Sequence, residues 1–257
     1  MPDLPHFVEY RYTPRYDSKD LEGIDIEPKP WNIQDEISSR TPAESTLLDV
    51  GCGPAKKLMP LAKEVKDIIG VDVNEKVIEN AKKNIFKAKI KNIILLQGDA
   101  FHLPIGSRTI DTITFILSRH SSQEAYRVLK ESGYIIIERM GEQDIANIKA
   151  FFGNDETGAP RGYRSEMKKG EIRETHERDL QQAGFSNITS KDGFWKTQYT
   201  RDELIHLLQE TPAVKDFNIQ KDQSIIDELC EKLMENGKIT TTQHRVLIIA
   251  QKLANYN

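Results

Sequence analysis

From residue 46 onward the chain alternates short apolar runs with stretches whose apolar residues recur at helical spacing. The runs cover residues 46–50, 67–71, 93–97, 109–117 and 134–139. Between them, residues 54–64, 74–87 and 121–130 carry helical stripes. Leu58, Leu61, Ala62 and Val65 form one; Val77, Ile78, Ala81 and Ile85 form another. Ser121 with Glu124 fits a capping box at the start of the third. Strand–helix alternation at this spacing predicts a parallel sheet with helices on both faces. The strands read as continuous apolar runs, as strands covered on both sides do.

Past Met140 the regularity fades. Residues 151–170 are rich in glycine and charge and read as a surface loop. A helix follows at about 175–183, ended by Gly184. Residues 187–199 read as a strand. Thr200 and Glu203 form a second capping box, opening a helix through Leu204, Ile205, Leu207 and Leu208. A further helix aligns Ile226, Leu229, Cys230 and Leu233, and 244–250 is the last clear strand. The predicted fold is therefore α/β: a Rossmann-like, mostly parallel, seven-stranded sheet with helices on both faces. A helical insertion at about 200–238 precedes the last strand. Residues 1–45 are different: proline-rich, with Tyr10, Tyr12, Tyr16 and Trp31, and they read as an N-terminal arm or cap packed by its rings. The expected division is thus 1–45 as the arm and 46–257 as the main domain.

The chemistry concentrates at the ends of the first three strands. Asp49-Val50-Gly51-Cys52-Gly53-Pro54 is a strand ending in D-x-G-x-G, followed by a proline suited to a first helical position. The glycines let the backbone turn tightly and approach a ligand, and a helix start offers N–H groups to an anion. Asp72, followed by Val73, ends the second strand, where a carboxylate can accept from a ribose diol. Asp99-Ala100-Phe101 follows the third, where a carboxylate and two N–H groups suit adenine. A nicotinamide dinucleotide site would want G-x-G-x-x-G, but position 56 is lysine. Asp49 would also repel a pyrophosphate, whereas it suits an ammonium and a sulfonium.

The segments LLDVGCGPA, GVDVNEKVIENAKKN, LLQGDAFHLP, TIDTITFIL and EAYRVLKESGYIIIE, in this order, resemble the class I S-adenosylmethionine-dependent methyltransferases. The style is closest to the small-molecule and quinone-type members. The resemblance covers about 45–140 well. It implies S-adenosyl-L-methionine as the cofactor. Asp49, Gly51, Cys52 and Gly53 would hold its methionine part, Asp72 and Val73 its ribose side, and Asp99, Ala100 and Phe101 its adenine. Leu117, at the end of the fourth strand, would lie near the methyl group. Ala55-Lys56 and Lys130-Glu131-Ser132-Gly133 depart from the usual loop sequences.

The Asn-Pro-Pro-Tyr type of motif is absent after the fourth strand; Ser118-Arg119-His120 stands there. His120 is a candidate base and Arg119 a candidate anion clamp. Tyr16 and the other arm rings could face the sulfonium. The favoured acceptor is a small molecule, with ribosomal-RNA base methylation as the alternative and a non-catalytic cofactor-binding protein as a third reading. Arg161, Arg164, Lys168, Lys169, Arg173 and Arg178 could track phosphates. Interleaved Glu166, Glu171, Glu174 and Glu177 favour a solvated face instead.

Charge refines this. The 257 residues carry 36 basic and 40 acidic side chains, a formal net charge of −4. Residues 1–45 hold five basic and ten acidic ones, so the rest is nearly neutral and the acidity belongs to the arm. No run is long and apolar enough to span a membrane, no secretory leader opens the chain, and two cysteines make neither a disulfide framework nor a metal cluster. A cytoplasmic enzyme without a metal site is the expectation.

Overall fold

The computed structural model describes residues 23–254. Tyr10, Tyr12 and Tyr16 lie outside the described residues. In order, the elements are β1 (Ile24–Asp25), α1 (Ile33–Ser38), β2 (Thr46–Val50), α2 (Leu58–Leu61), β3 (Asp67–Asp72), α3 (Glu75–Lys87), β4 (Ile93–Gln97), β5 (Ile110–Ile116), α4 (Ser122–Val128), β6 (Leu129–Met140), α5 (Ala146–Lys149), α6 (Glu171–Ala183), β7 (Ser186–Tyr199), α7 (Arg201–Glu210), α8 (Ile219–Leu233), β8 (Met234–Glu235) and β9 (Lys238–Gln251). Seven strands have five or more residues, the seven expected; β1 and β8 add two residues each. The chain divides into two compact units. The larger holds Pro28–Asp144, Met167–Trp195 and 243–254; the smaller holds 23–27, Ile145–Glu166 and Lys196–Thr242.

In the larger unit the strand order is β7-β9-β6-β5-β2-β3-β4. Strands β6, β5, β2, β3 and β4 are mutually parallel, and β9 runs antiparallel to β6. Alternate residues of each strand face opposite sides. Leu47 and Ile136 enter a core with α2 and α3, while Leu48, Ile135 and Ile137 enter another with α4 and α6. Helices therefore cover both faces, as the unbroken apolar strands require. Trp31 packs at the edge of the first core and donates its indole N–H to Glu138 Oε1 at 2.8 Å. It anchors the start of this unit.

In the smaller unit, Leu204, Leu208, Ile226, Leu229 and Ile239 form a separate core with α5, α7 and α8. The end of β7 pairs with β1 and the start of β9 with β8. Arg161 holds Asp222 through its two terminal guanidinium nitrogens at 2.8 and 2.9 Å.

Two local expectations are corrected. The helix foreseen from Pro54 does not begin there: Gly51, Gly53 and Ala55 all have positive φ (78°, 56° and 61°), and α2 is a single turn at Leu58–Leu61. The first loop thus presents no helix start to an anion. Leu58, Leu61 and Val65 are still buried, so the apolar stripe packs although most of its helix is missing. The capping box foreseen at Ser121 is half made. Ser121 Oγ accepts from the Glu124 N–H, but the Glu124 carboxylate accepts from the Leu103 N–H and from Arg127. By contrast, the box at Thr200 and Glu203 is complete.

Candidate active site

Parallel pairing brings the C-terminal ends of β2, β3, β4 and β5 to one edge. Asp49 lies opposite Gly70 on one side and Thr114 on the other, and Asp72 lies opposite Gln97. From β2 the chain winds outward to β3 and β4, then returns to place β5 on the other flank of β2. Such a reversal, beyond the ends of β2 and β5, is the usual ligand position in open α/β sheets.

Asp49 stands at that reversal. It is buried, and Thr114 Oγ1 donates to its Oδ1 at 2.6 Å. Burial raises its pKa to about 6, against the lowering effects of the Thr114 hydrogen bond and of Lys57. Gly51 follows with φ +78°. A Cβ there would lie 2.3 Å from the Ser118 Cβ, so only glycine lets the β2 and β5 ends close together. Ser118 Oγ completes this junction by donating to the Val50 carbonyl at 2.6 Å. Burial pushes the Cys52 thiol up, which leaves it an inert packing group.

The next loop is tied to the first. Asp72 Oδ2 accepts from the Gly53 N–H at 3.1 Å and Oδ1 from the Asn74 N–H at 2.9 Å. Asn74 in turn caps α3. Val73 is 66% exposed. After β4, Asp99 Oδ1 accepts from the Phe101 N–H at 3.1 Å, and Ala100 is buried. The Arg119 guanidinium lies 4.7 Å from the Phe101 ring centre, linking the β4 and β5 loops. Leu117 sits at the β5 end in the left-handed region (φ +55°) and 45% exposed, a strained leucine of the kind stored at functional edges.

His120 turns inward. Its ring stacks on His176 of α6 at 4.9 Å and meets Phe115 edge-on at 5.7 Å. Burial first, then His176 and Arg139, lower its pKa well below the ordinary imidazole value. Its Nε2 is buried with no hydrogen-bond partner among the described residues. Among the same residues no group of acids, histidines and cysteines could hold a metal ion.

Residues 42–158 match the family described as a methyltransferase domain. Over 131 residues the chain is 31% identical to demethylmenaquinone methyltransferase of Lactobacillus johnsonii, covering 49% of this chain and 53% of that protein. Over this stretch the chain is similar to methyltransferase domains. The chain is also 29% identical over 161 residues to tRNA N(3)-methylcytidine methyltransferase trm140 of Schizosaccharomyces pombe, covering 54% of this chain and 52% of that one. It spans about half the length of these relatives. The fold is that of the YcgJ protein from Bacillus subtilis, with a TM-score of 0.61, 18% identity, and coverage of 86% of this chain and 98% of that one.

The matched stretch gathers Asp49, Gly51, Cys52, Gly53, Asp72, Val73, Asp99, Ala100, Phe101, Leu117, Arg119 and His120 at the strand ends and the loops that follow them; Tyr16 lies outside the described residues. Thr114, Ser118 and His176 were not foreseen. Thr114 had a signal, since it is a hydroxyl in an otherwise apolar run. Ser118 and His176 had none, because their roles depend on which strands and helices become neighbours. No helix among the described residues is long and apolar enough to cross a membrane.

Proposed function

We propose that the chain binds S-adenosyl-L-methionine and moves its methyl group to a small-molecule acceptor. The observation that carries this reading is Asp49, a buried carboxylate at the sheet reversal with its pKa raised to about 6. Such a group repels a pyrophosphate and welcomes a cation, which would return it to full ionisation. The other residues fit the same ligand. A carboxylate offers about four lone-pair sites, and Asp72 uses two on backbone N–H groups, leaving capacity for a diol. Val73 and Leu117 expose apolar surface on which a flat base can lie. Asp99 and the backbone of Ala100 and Phe101 suit its polar edge.

The cofactor supplies an electrophilic methyl group on a sulfonium. The chain's part is mainly positioning, since an in-line displacement gains most from proximity and alignment. His120 suits this role. Its imidazole stays neutral, and its unpartnered Nε2 offers one hydrogen bond, as donor or acceptor according to the tautomer, with which to orient an acceptor group; its low pKa makes it a weak base. RNA is the less favoured acceptor: Arg161 and Arg173, two of the six cations that could track phosphates, are engaged by Asp222 and Asp192.

Calorimetry with S-adenosylhomocysteine and with NADH tests the ligand. Binding of the first and none of the second is expected; tight NADH binding alone overturns the reading. Incubation of labelled cofactor with cell extract, split into RNA, protein and small-molecule fractions, tests the acceptor. Label in the small-molecule fraction is expected, and label in RNA alone would transfer the assignment to RNA.

A further inference from the structure

Beyond the end of β6, a pocket of about 390 Å³ is lined by Glu142, Gln143, Lys169, Gly170, Arg173, Asp192 and Phe194. All of it lies within the larger unit, and none of it belongs to the cofactor residues described above. Its volume is in the range that takes a small molecule.

The pocket is built, not incidental. Gly141 lets β6 approach β9 so closely that a Cβ there would lie 2.1 Å from His244 Nδ1. His244 Nδ1 accepts from the Gln143 N–H at 3.2 Å, so the ring carries its proton on Nε2, which faces Asp192 Oδ1 at 3.1 Å. Arg173 donates to the other Asp192 oxygen at 2.7 Å. Asp192 is therefore satisfied, and Phe194 stacks on His244 at 4.2 Å.

Glu142 is not satisfied. It is 6% exposed; Oε1 accepts from the Gly170 N–H at 2.7 Å, but Oε2 is buried with no hydrogen-bond partner among the described residues. A buried carboxylate oxygen without a donor is costly, and such groups are kept where a ligand completes them. A cationic nitrogen supplies both the charge and the donors. Lys169 is exposed on the same pocket and offers a positive charge to the ligand's other end.

Helix α6 ties this pocket to the transfer site. Arg173 and His176 are one turn apart and share a face; Arg173 lines the pocket, and His176 stacks on His120. We propose that this pocket is the recognition site of the methyl acceptor, and that it takes a small zwitterion with its amine on Glu142 and its anionic group toward Lys169. The acceptor role rests on the methyltransferase reading; the amine specificity does not.

Three probes of like size separate the charges: 3-aminopropionate, propylamine and propionate, titrated by calorimetry or ligand-observed NMR with S-adenosylhomocysteine present. The expected order of affinity is 3-aminopropionate, then propylamine, then propionate, with the first near millimolar, about the range for so few atoms. Glu142→Gln keeps an oxygen for the Gly170 N–H and should weaken both amines at least tenfold while leaving S-adenosylhomocysteine affinity unchanged. Lys169→Ala, on the surface, should remove only the preference for 3-aminopropionate over propylamine. Preference for propionate, failure of all three probes, or wild-type amine affinity in Glu142→Gln overturns the proposal. If S-adenosylhomocysteine binds and the amines do not, the pocket assignment fails alone. If the amines bind and S-adenosylhomocysteine does not, the methyltransferase reading fails and the amine site stands.

Discussion

Asp49, in the proposed cofactor site, is held at a cost to the fold. A carboxyl group whose pKa is raised in the folded state holds its proton more tightly there than in the unfolded chain. Its contribution to stability is full below the ordinary value of 3.8 and is lost as pH rises through about 6. A shift of that size corresponds to about 3 kcal/mol, as an order of magnitude. Asp49→Asn keeps the acceptor for Thr114 and removes the ionisation. The variant should be more stable than the parent by about 1–3 kcal/mol at pH 7–8 and equal to it near pH 4. Urea unfolding across that pH range measures this, and a less stable variant at pH 8 would contradict it. The same change should weaken S-adenosylmethionine binding, so stability and affinity move in opposite directions. Asp72 is the complementary case, partly exposed and bonded to two backbone N–H groups. Asp72→Ala should weaken the cofactor at least tenfold, about 1.4 kcal/mol. Unchanged affinity in calorimetry would reduce Asp72 to a loop-bracing residue.

At the scale of elements, legibility in the sequence followed the physics of each signal. Strands β2 and β4 coincide with their apolar runs, and α3 with its stripe, because burial on both sheet faces dictates those patterns. Strands β6 and β9 run well past their apolar centres, since pairing with a neighbour extends a strand through polar residues that periodicity reads as loop. Helix α6 begins four residues earlier than foreseen for a similar reason: Glu142, from a distant loop, takes the Gly170 N–H. The site divides in the same way. Its acids and glycines were visible as local motifs, whereas the Ser118 junction, the His120–His176 stack and the Glu142 pocket arise from tertiary neighbours. Caps can be tested directly. Thr200→Ala removes an intact capping box and should cost about 1 kcal/mol in thermal unfolding. At Ser121 the box is half made, so Glu124→Ala should act by freeing the Leu103 N–H and Arg127. Ser121→Ala and Glu124→Ala should then add independently, and strong coupling in a double-mutant cycle would contradict that assignment.

For the whole molecule, the decisive fact is that every described residue of the proposed cofactor site lies in the larger unit, while α7 and α8 have a core of their own. The two can be perturbed separately. Leu229 is fully buried among residues of the smaller unit, and Leu229→Ala should cost about 2–5 kcal/mol, the usual range for such a cavity. Faster amide exchange should follow in 196–242. Because no atom of the proposed cofactor site is touched, S-adenosylhomocysteine affinity should stay within about twofold, a change of only a few tenths of a kcal/mol. Ligand at a hundred times its dissociation constant should then stabilise the larger unit by about 2.7 kcal/mol in parent and variant alike. The protection gained should centre on β2 and β3, whose ends carry Asp49 and Asp72. A tenfold loss of affinity in Leu229→Ala would mean that α7 and α8 contribute to holding the cofactor. Equal affinity with a lower methylation rate on a known acceptor would give those helices a part in the acceptor step instead.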